Sequence, residues 1–260
     1  MADQVLRIEI DGSTPTESQL QYLALNSYGH FTAMQVHDAH TKGLDRHLAR
    51  LSLANLQMFG TELDGDLVRD RVRHALGDIA DASVRVLVML AEDDQVYTVV
   101  TVRPPAGVPD TPHRLLSVPY QRPLPHLKQI GGGFGQTFHR RAAQRNGYTE
   151  ALLTGLDGLI IEGGVTNVAL FDGTGIVWPD APALSGIAMQ LLAANLADAG
   201  IPTRRRPVYL SDLSTFASMF VTSSRGIAAV ARVDELDIAV DPGVLKSLSA
   251  VYDAVPWDRI

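Results

Sequence analysis

The sequence predicts an α+β fold in two domains: a smaller one over residues 1–103, a linker over 104–113 and a larger one over 114–260. Three observations predict it. Strand-like alternation and helix-like spacing are mixed through the first 102 residues. The stretch RPPAGVPDTPHR then places four prolines within twelve residues, and proline removes backbone donors and favours extended chain. Beyond it, a longer series of short strands is interrupted by amphipathic helices. The chain has 260 residues, 46% of them hydrophobic and 20% charged, enough to bury real cores.

In order along the chain, VLRIEI (5–10) alternates and ends at Asp11-Gly12, a strand and a turn. TESQLQYLAL (16–25) reads as a short helix, and SYGHFTAMQVHDA as a strand with a turn near 37–41. Leu44, Leu48, Leu51 and Leu56 recur at helical spacing, with Gly60 as the C-cap. DLVRDRVRHALGD is a second amphipathic helix ending near Gly77, and SVRVLVML and QVYTVVTVRP form a hairpin around Glu92-Asp93-Asp94. After the linker come a strand at LLSVPY, a helix over 136–146, and strands at ALLTG and LIIE around the turn Leu156-Asp157-Gly158. VALFDG and TGIVWP resemble a further hairpin. LSGIAMQLLAANLADAG reads as a helix opened by Ser185-Gly186 and closed by Gly200. PVYL is extended, residues 211–217 carry no clear pattern, SMFVTSS and GIAAVARVD are strands, and GVLKSLSAVYDAV is a terminal helix.

The net charge of −7 leaves no basic footprint for nucleic acid. The absence of cysteine excludes disulfides, thiolate metal sites and a cysteine nucleophile. No basic-then-apolar leader and no run of about 18 apolar residues is visible, so the expectation is a cytoplasmic protein without a membrane span. The histidines show no metal-ligand spacing, so no metal is expected. The GGGFG run at 131–135 lacks the third glycine and the strand context of a dinucleotide fingerprint, and no GxSxG elbow is present.

Residue by residue, several positions admit two readings. Lys128, beside Leu127 and near Ile130, is either a surface lysine or an amine whose desolvation makes it available for a Schiff base. Lys42 and Lys246, the other two lysines, lie in a loop and on the terminal helix. Glu162 closes Leu159-Ile160-Ile161 and is either a solvated strand end or a rigidly held partner for a heterocyclic nitrogen. The helix opened at Ser185-Gly186 has either an ordinary cap or free N–H groups that bind phosphate. Thr222-Ser223-Ser224 adds hydroxyls.

Taken together, these blocks resemble the class IV, fold-type IV pyridoxal phosphate (PLP) enzymes. That family includes branched-chain and D-amino-acid aminotransferases, R-selective amine transaminases and aminodeoxychorismate lyases. YGHFTAMQV, HLARL (47–51), Lys128, RNGYTEALLTGLDGLIIEGGVTNVALF, PALSGIAMQ and FVTSSRGIAAVARVD are similar to its motifs, in its order, from about residue 20 to 235. The resemblance implies a small α/β domain and a larger, β-barrel-like domain with helices. It implies an aminotransferase moving an amino group between an amino acid or amine and a keto acid. Its PLP would be held as an internal aldimine on Lys128, with Arg50, Glu162, Asn167, Ile187, Ala188 and Ser224 binding the cofactor. Phe31, Arg85 and Arg225 are implied around the substrate, and a homodimer is implied as the assembly. A lyase releasing pyruvate from aminodeoxychorismate, or a non-catalytic scaffold, are the alternatives. The sequence departs from the branched-chain pattern at Ala188-Met189-Gln190, at Gly133, where those members carry a tyrosine, and over Phe31-Thr32-Ala33-Met34-Gln35.

Overall fold

The computed structural model describes residues 4–91, 95–130 and 133–260. The turn at Glu92-Asp93-Asp94 and the first two glycines of the GGGFG run lie outside them. The chain divides into two compact units: Met1–Ala106, Leu127–Gly131 and Pro256–Ile260 form the first, and Gly107–His126 with Gly132–Val255 the second. Among the described residues no helix is long and apolar enough to cross a membrane.

The first unit contains β1 (Arg7–Ile10), α1 (Glu17–Leu25), β2 (Gly29–Val36), β3 (His40–Lys42), α2 (Leu44–Phe59), α3 (Gly65–Leu76), β4 (Ala82–Leu90) and β5 (Val96–Arg103). Its main sheet is antiparallel in the order β1-β5-β4-β2. Period-two alternation turns Met34 and Val36 of β2, and Val84, Val86 and Val88 of β4, toward Leu51 of α2 and Val68 and Val72 of α3. The caps explain the helix limits. Asp64 accepts from the amides of Asp66 and Leu67 to start α3, and Gly60, at φ +72°, ends α2 by donating to Leu56. A short strand at Trp257–Arg259, with no signal in the sequence, pairs with β3.

β2 is the sheet's outer strand, and residues 128–130 extend the sheet past it. The Phe31 amide donates to the Lys128 carbonyl and the Ile130 amide to the Gly29 carbonyl, both at 2.9 Å, with His30 opposite Gln129. Lys128, expected with the C-terminal domain, therefore belongs by its backbone bonds to the first unit.

The second unit contains β6 (His113–Pro119), α4 (Gly133–Arg145), β7 (Glu150–Thr154), β8 (Ile160–Gly163), β9 (Asn167–Phe171), β10 (Ile176–Pro179), α5 (Ile187–Asn195), β11 (Thr203–Arg206), β12 (Ser218–Ser223), β13 (Gly226–Val233), β14 (Leu236–Asp237) and α6 (Pro242–Asp253). The sheet runs β11-β10-β9-β12-β13-β6-β7-β8, with β14 on β13. Its two ends approach each other: the Ile160 amide donates to Val208 O at 2.8 Å and the Leu210 amide to Gly158 O at 3.0 Å. This curl is the barrel-like form expected. One face buries Leu115, Leu152, Val168, Met219, Val221 and Val230. The other packs Ala169, Trp178 and Phe220 against Met189 and Leu192 of α5 and Leu248 of α6.

Two local expectations differ. The helix expected over 184–200 is α5 alone, and its N-cap is Gly186 rather than Ser185. The extended segment expected at 207–210 is preceded by β11, whose run of arginines hid a strand from hydrophobic patterning, and Leu210–Thr215 forms a 3-10 turn.

Candidate functional site

In the first unit, the antiparallel register places Lys128 across from Phe31, so both side chains project from the same face. The Lys128 ammonium lies 4.9 Å from the Phe31 ring centroid, and the Arg85 guanidinium lies 5.3 Å from the same ring. Arg85 stands opposite Ala33 on β4, diagonal to Phe31. Three residues selected from sequence are thus brought together by β2 and its two neighbours.

Alternation sends the next residue of β2, Thr32, to the helix-covered side, where it is fully buried. Arg50 and His47, on adjacent turns of α2, meet it there. Arg50 Nη2 donates to Thr32 Oγ1, and His47 Nδ1 lies 2.6 Å from the same oxygen. Burial, and then the cations of Arg50 and Lys128, push the His47 pKa well below its usual value. Burial lowers the Arg50 pKa to about 10. Its Nε–H is buried without a protein partner, and no carboxylate pairs with it among the described residues. A guanidinium so placed is complementary to an anion.

In the second unit, Glu162 at the end of β8 is buried and bonded on both oxygens. Oε1 lies 2.7 Å from Arg122 Nε, and Oε2 accepts from the Leu184 amide at 3.2 Å. Asn167 donates from Nδ2 to the Leu184 carbonyl at 2.7 Å. Both backbone polar groups of Leu184 are thus held, by a β8 carboxylate and a β9 amide, just before α5 begins. The Asn167 side chain also lies where a Cβ on Gly186 would sit, so any larger residue there would have to displace it. The amides of Ile187 and Ala188 open α5, and no side chain caps them. Thr222 stands opposite Asn167 on β12, its hydroxyl buried without a partner. Ser224 and Arg225 form the two-residue turn between β12 and β13; Arg225 is exposed, and its amide donates to Ser223 Oγ.

Sequence reasoning missed Arg122, Thr32 and His47 as functional residues. Arg122 sits in an irregular proline-flanked run with no periodic signal. Thr32 and His47 were visible inside quoted motifs, but nothing in a linear pattern shows that their side chains meet.

Each unit, taken by itself, offers groups that fit a phosphate: in the first, Arg50 Nε is an orphaned buried donor, and in the second, Thr222 Oγ1 is orphaned and α5 offers amides without a side-chain cap. Glu162 is held rigidly by Arg122 and the Leu184 amide.

The family model for amino-transferase class IV matches residues 29–233. The "Probable branched-chain-amino-acid aminotransferase" of Synechocystis sp. is 29% identical over 120 residues, which is 45% of this chain and 39% of that relative. The branched-chain amino acid aminotransferase of Escherichia coli superposes with a TM-score of 0.85 at 16% identity, covering 97% of this chain and 95% of that one. A hypothetical aminotransferase from Mycobacterium tuberculosis, in its PLP-bound form, gives 0.84 at 18% identity over 96% of this chain and 98% of that one. At these identities the superpositions establish the fold.

Proposed function

Since the chain belongs to the class IV aminotransferase family, whose members depend on PLP, we propose that it is itself a PLP-dependent aminotransferase. It would move an amino group from an amino acid or amine to a keto acid. The observation that carries the reading is Lys128, whose carbonyl accepts the Phe31 amide and whose segment is fastened again where the Ile130 amide donates to Gly29.

When bound, PLP supplies an electron-accepting ring that lets a substrate Cα–H bond break. The chain's residues do the rest. Lys128 Nζ would hold the cofactor, and its amine would carry the proton taken from the substrate Cα. Arg50, the amides of Ile187 and Ala188, and the Ser224 hydroxyl would bind the phosphate. Glu162 would be the partner of the ring nitrogen, and Asn167 keeps the α5 turn in place. Phe31, Arg85 and Arg225 contact the substrate, Arg85 and Arg225 supplying cations for a carboxylate. The working form is a cytoplasmic homodimer, testable by sedimentation.

The test is to mix PLP-loaded protein with a panel of L- and D-amino acids and R- and S-amines, with the cofactor then separated by chromatography. Conversion of PLP to pyridoxamine phosphate by at least one donor, lost in Lys128→Ala, is expected. Pyruvate release from aminodeoxychorismate with no such conversion by any donor would overturn the reading.

A further inference from the structure

Among the described residues, Arg50 is tethered through a single hydrogen bond. Of its five N–H donors, one reaches Thr32 Oγ1, and the Nε–H is buried with nothing to accept it. A long side chain held at one point can turn about that point, so the orientation of its remaining donors depends on how firmly Thr32 is fixed. Thr32 is fixed in two ways. Its backbone lies in the β2–β4 ladder opposite Val86. Its hydroxyl has a second neighbour, His47 Nδ1, at 2.6 Å.

The direction of that second bond follows from the hydroxyl proton, which has no acceptor other than His47 Nδ1 among the described residues. Arginine only donates, so the Thr32 oxygen must accept from Arg50. The hydroxyl's one proton is then available for an acceptor, and His47 Nδ1 can accept only if the imidazole is neutral with its proton on Nε2. The environment favours the neutral ring: His47 is buried beside the cations of Arg50 and Lys128. All the charged groups identified as acting on it are therefore positive. A protonated His47 would donate to the Thr32 oxygen and leave the buried hydroxyl proton without an acceptor among the described residues.

We propose that Thr32 is the positioning residue that aims the Arg50 guanidinium at the phosphate of the cofactor, with His47 fixing the direction of the Thr32 hydroxyl. The assignment rests on the PLP-binding role given above. It makes the phenylalanine-threonine pair of β2 a working part of anion recognition: Phe31 packs beneath Lys128 on one face, and Thr32 holds Arg50 on the other.

The experiment compares binding of PLP, and of pyridoxal, which lacks the phosphate, to cofactor-stripped wild type, Thr32→Val and Thr32→Ser. Valine keeps the shape and the strand preference and removes only the hydroxyl. Thr32→Val is expected to weaken PLP binding about tenfold or more, the usual worth of a hydrogen bond to a charged group. Pyridoxal affinity should stay within about twofold of wild type and Thr32→Ser should recover most of the loss, which a residue with a purely structural role would not produce. Long-range ¹H–¹⁵N spectra should show His47 as the neutral Nε2–H tautomer. Unchanged PLP binding in Thr32→Val, or equal loss of PLP and pyridoxal, overturns the assignment while leaving the cofactor reading standing. A wild-type protein that binds neither compound overturns both.

Discussion

Removing Arg122 while keeping its apolar stem, as Arg122→Met, strands the Glu162 carboxylate in the interior of the second unit. The pair is close, with Nε and Oε1 2.7 Å apart, and the two side chains are only 4% and 5% exposed, so solvent does little to screen it. At an effective dielectric of about 20, unit charges about 4 Å apart interact by ~4 kcal/mol. Breaking a buried pair by deleting one partner costs about 3–5 kcal/mol, mostly from the charge left behind. The Leu184 amide still donates to Glu162 and recovers a part of this. Arg122→Met is therefore expected to lose about 3 kcal/mol. Adding Glu162→Gln removes the stranded charge, and the double variant should lose clearly less than the sum of the two single losses. The assay is urea unfolding, followed by circular dichroism, of wild type, both single variants and the double variant. A loss below about 1 kcal/mol in Arg122→Met, or strict additivity of the two substitutions, would refute the argument that this pair fixes Glu162.

Further outcomes are expected elsewhere in the chain. Gly186→Ala places a Cβ against the Asn167 oxygen, so Asn167 must release the Leu184 carbonyl; stability should fall by about 1–3 kcal/mol, and PLP affinity should fall with it. His30 is buried with its Nδ1 unpartnered, and burial lowers its pKa from 6.5 to about 4. The native state then binds fewer protons than the unfolded chain between those values, so stability is complete above pH ~6.5 and declines by ~3 kcal/mol as pH falls toward 4. His30→Phe should flatten that decline in urea midpoints measured across the range. Asp172 is held well below the usual carboxylate range by the Thr174 hydroxyl, then by the amides of Thr174 and Gly175 and by Arg204. Its contribution is present above the unfolded pKa near ~4 and lost as pH falls through the folded value, so Asp172→Asn should be destabilised at neutral pH and converge on wild type in acid.

Much of this was legible in the sequence because local physics wrote it there. The alternation in β4 and β5, the 3.6-residue spacing of α2 and the glycine at position 60 each encode one element through its own burial or backbone need. Long-range facts were less legible. Lys128 lies after the proline-rich stretch, yet its backbone bond to Phe31 and that of Ile130 to Gly29 place it with the first unit, and such pairing leaves no mark in composition. β11 was hidden because Arg204, Arg205 and Arg206 make it polar throughout. For the functional residues, the motifs gave positions but not partners. Glu162 was visible as a strand-end carboxylate; that it is bonded to Arg122 and to the Leu184 amide depends on two loops meeting it in space. The Thr32–His47–Arg50 cluster spans a strand and a helix, and only folding makes them neighbours.

The central claim is that Lys128 is the residue that carries PLP. Incubating the intact protein with PLP, reducing it with borohydride and mapping the peptides by mass spectrometry tests this most directly. The account predicts a phosphopyridoxyl group on Lys128 at one per chain, absent in Lys128→Ala. Labelling at Lys42 or Lys246 in place of Lys128, or no stoichiometric label on any lysine, would contradict it.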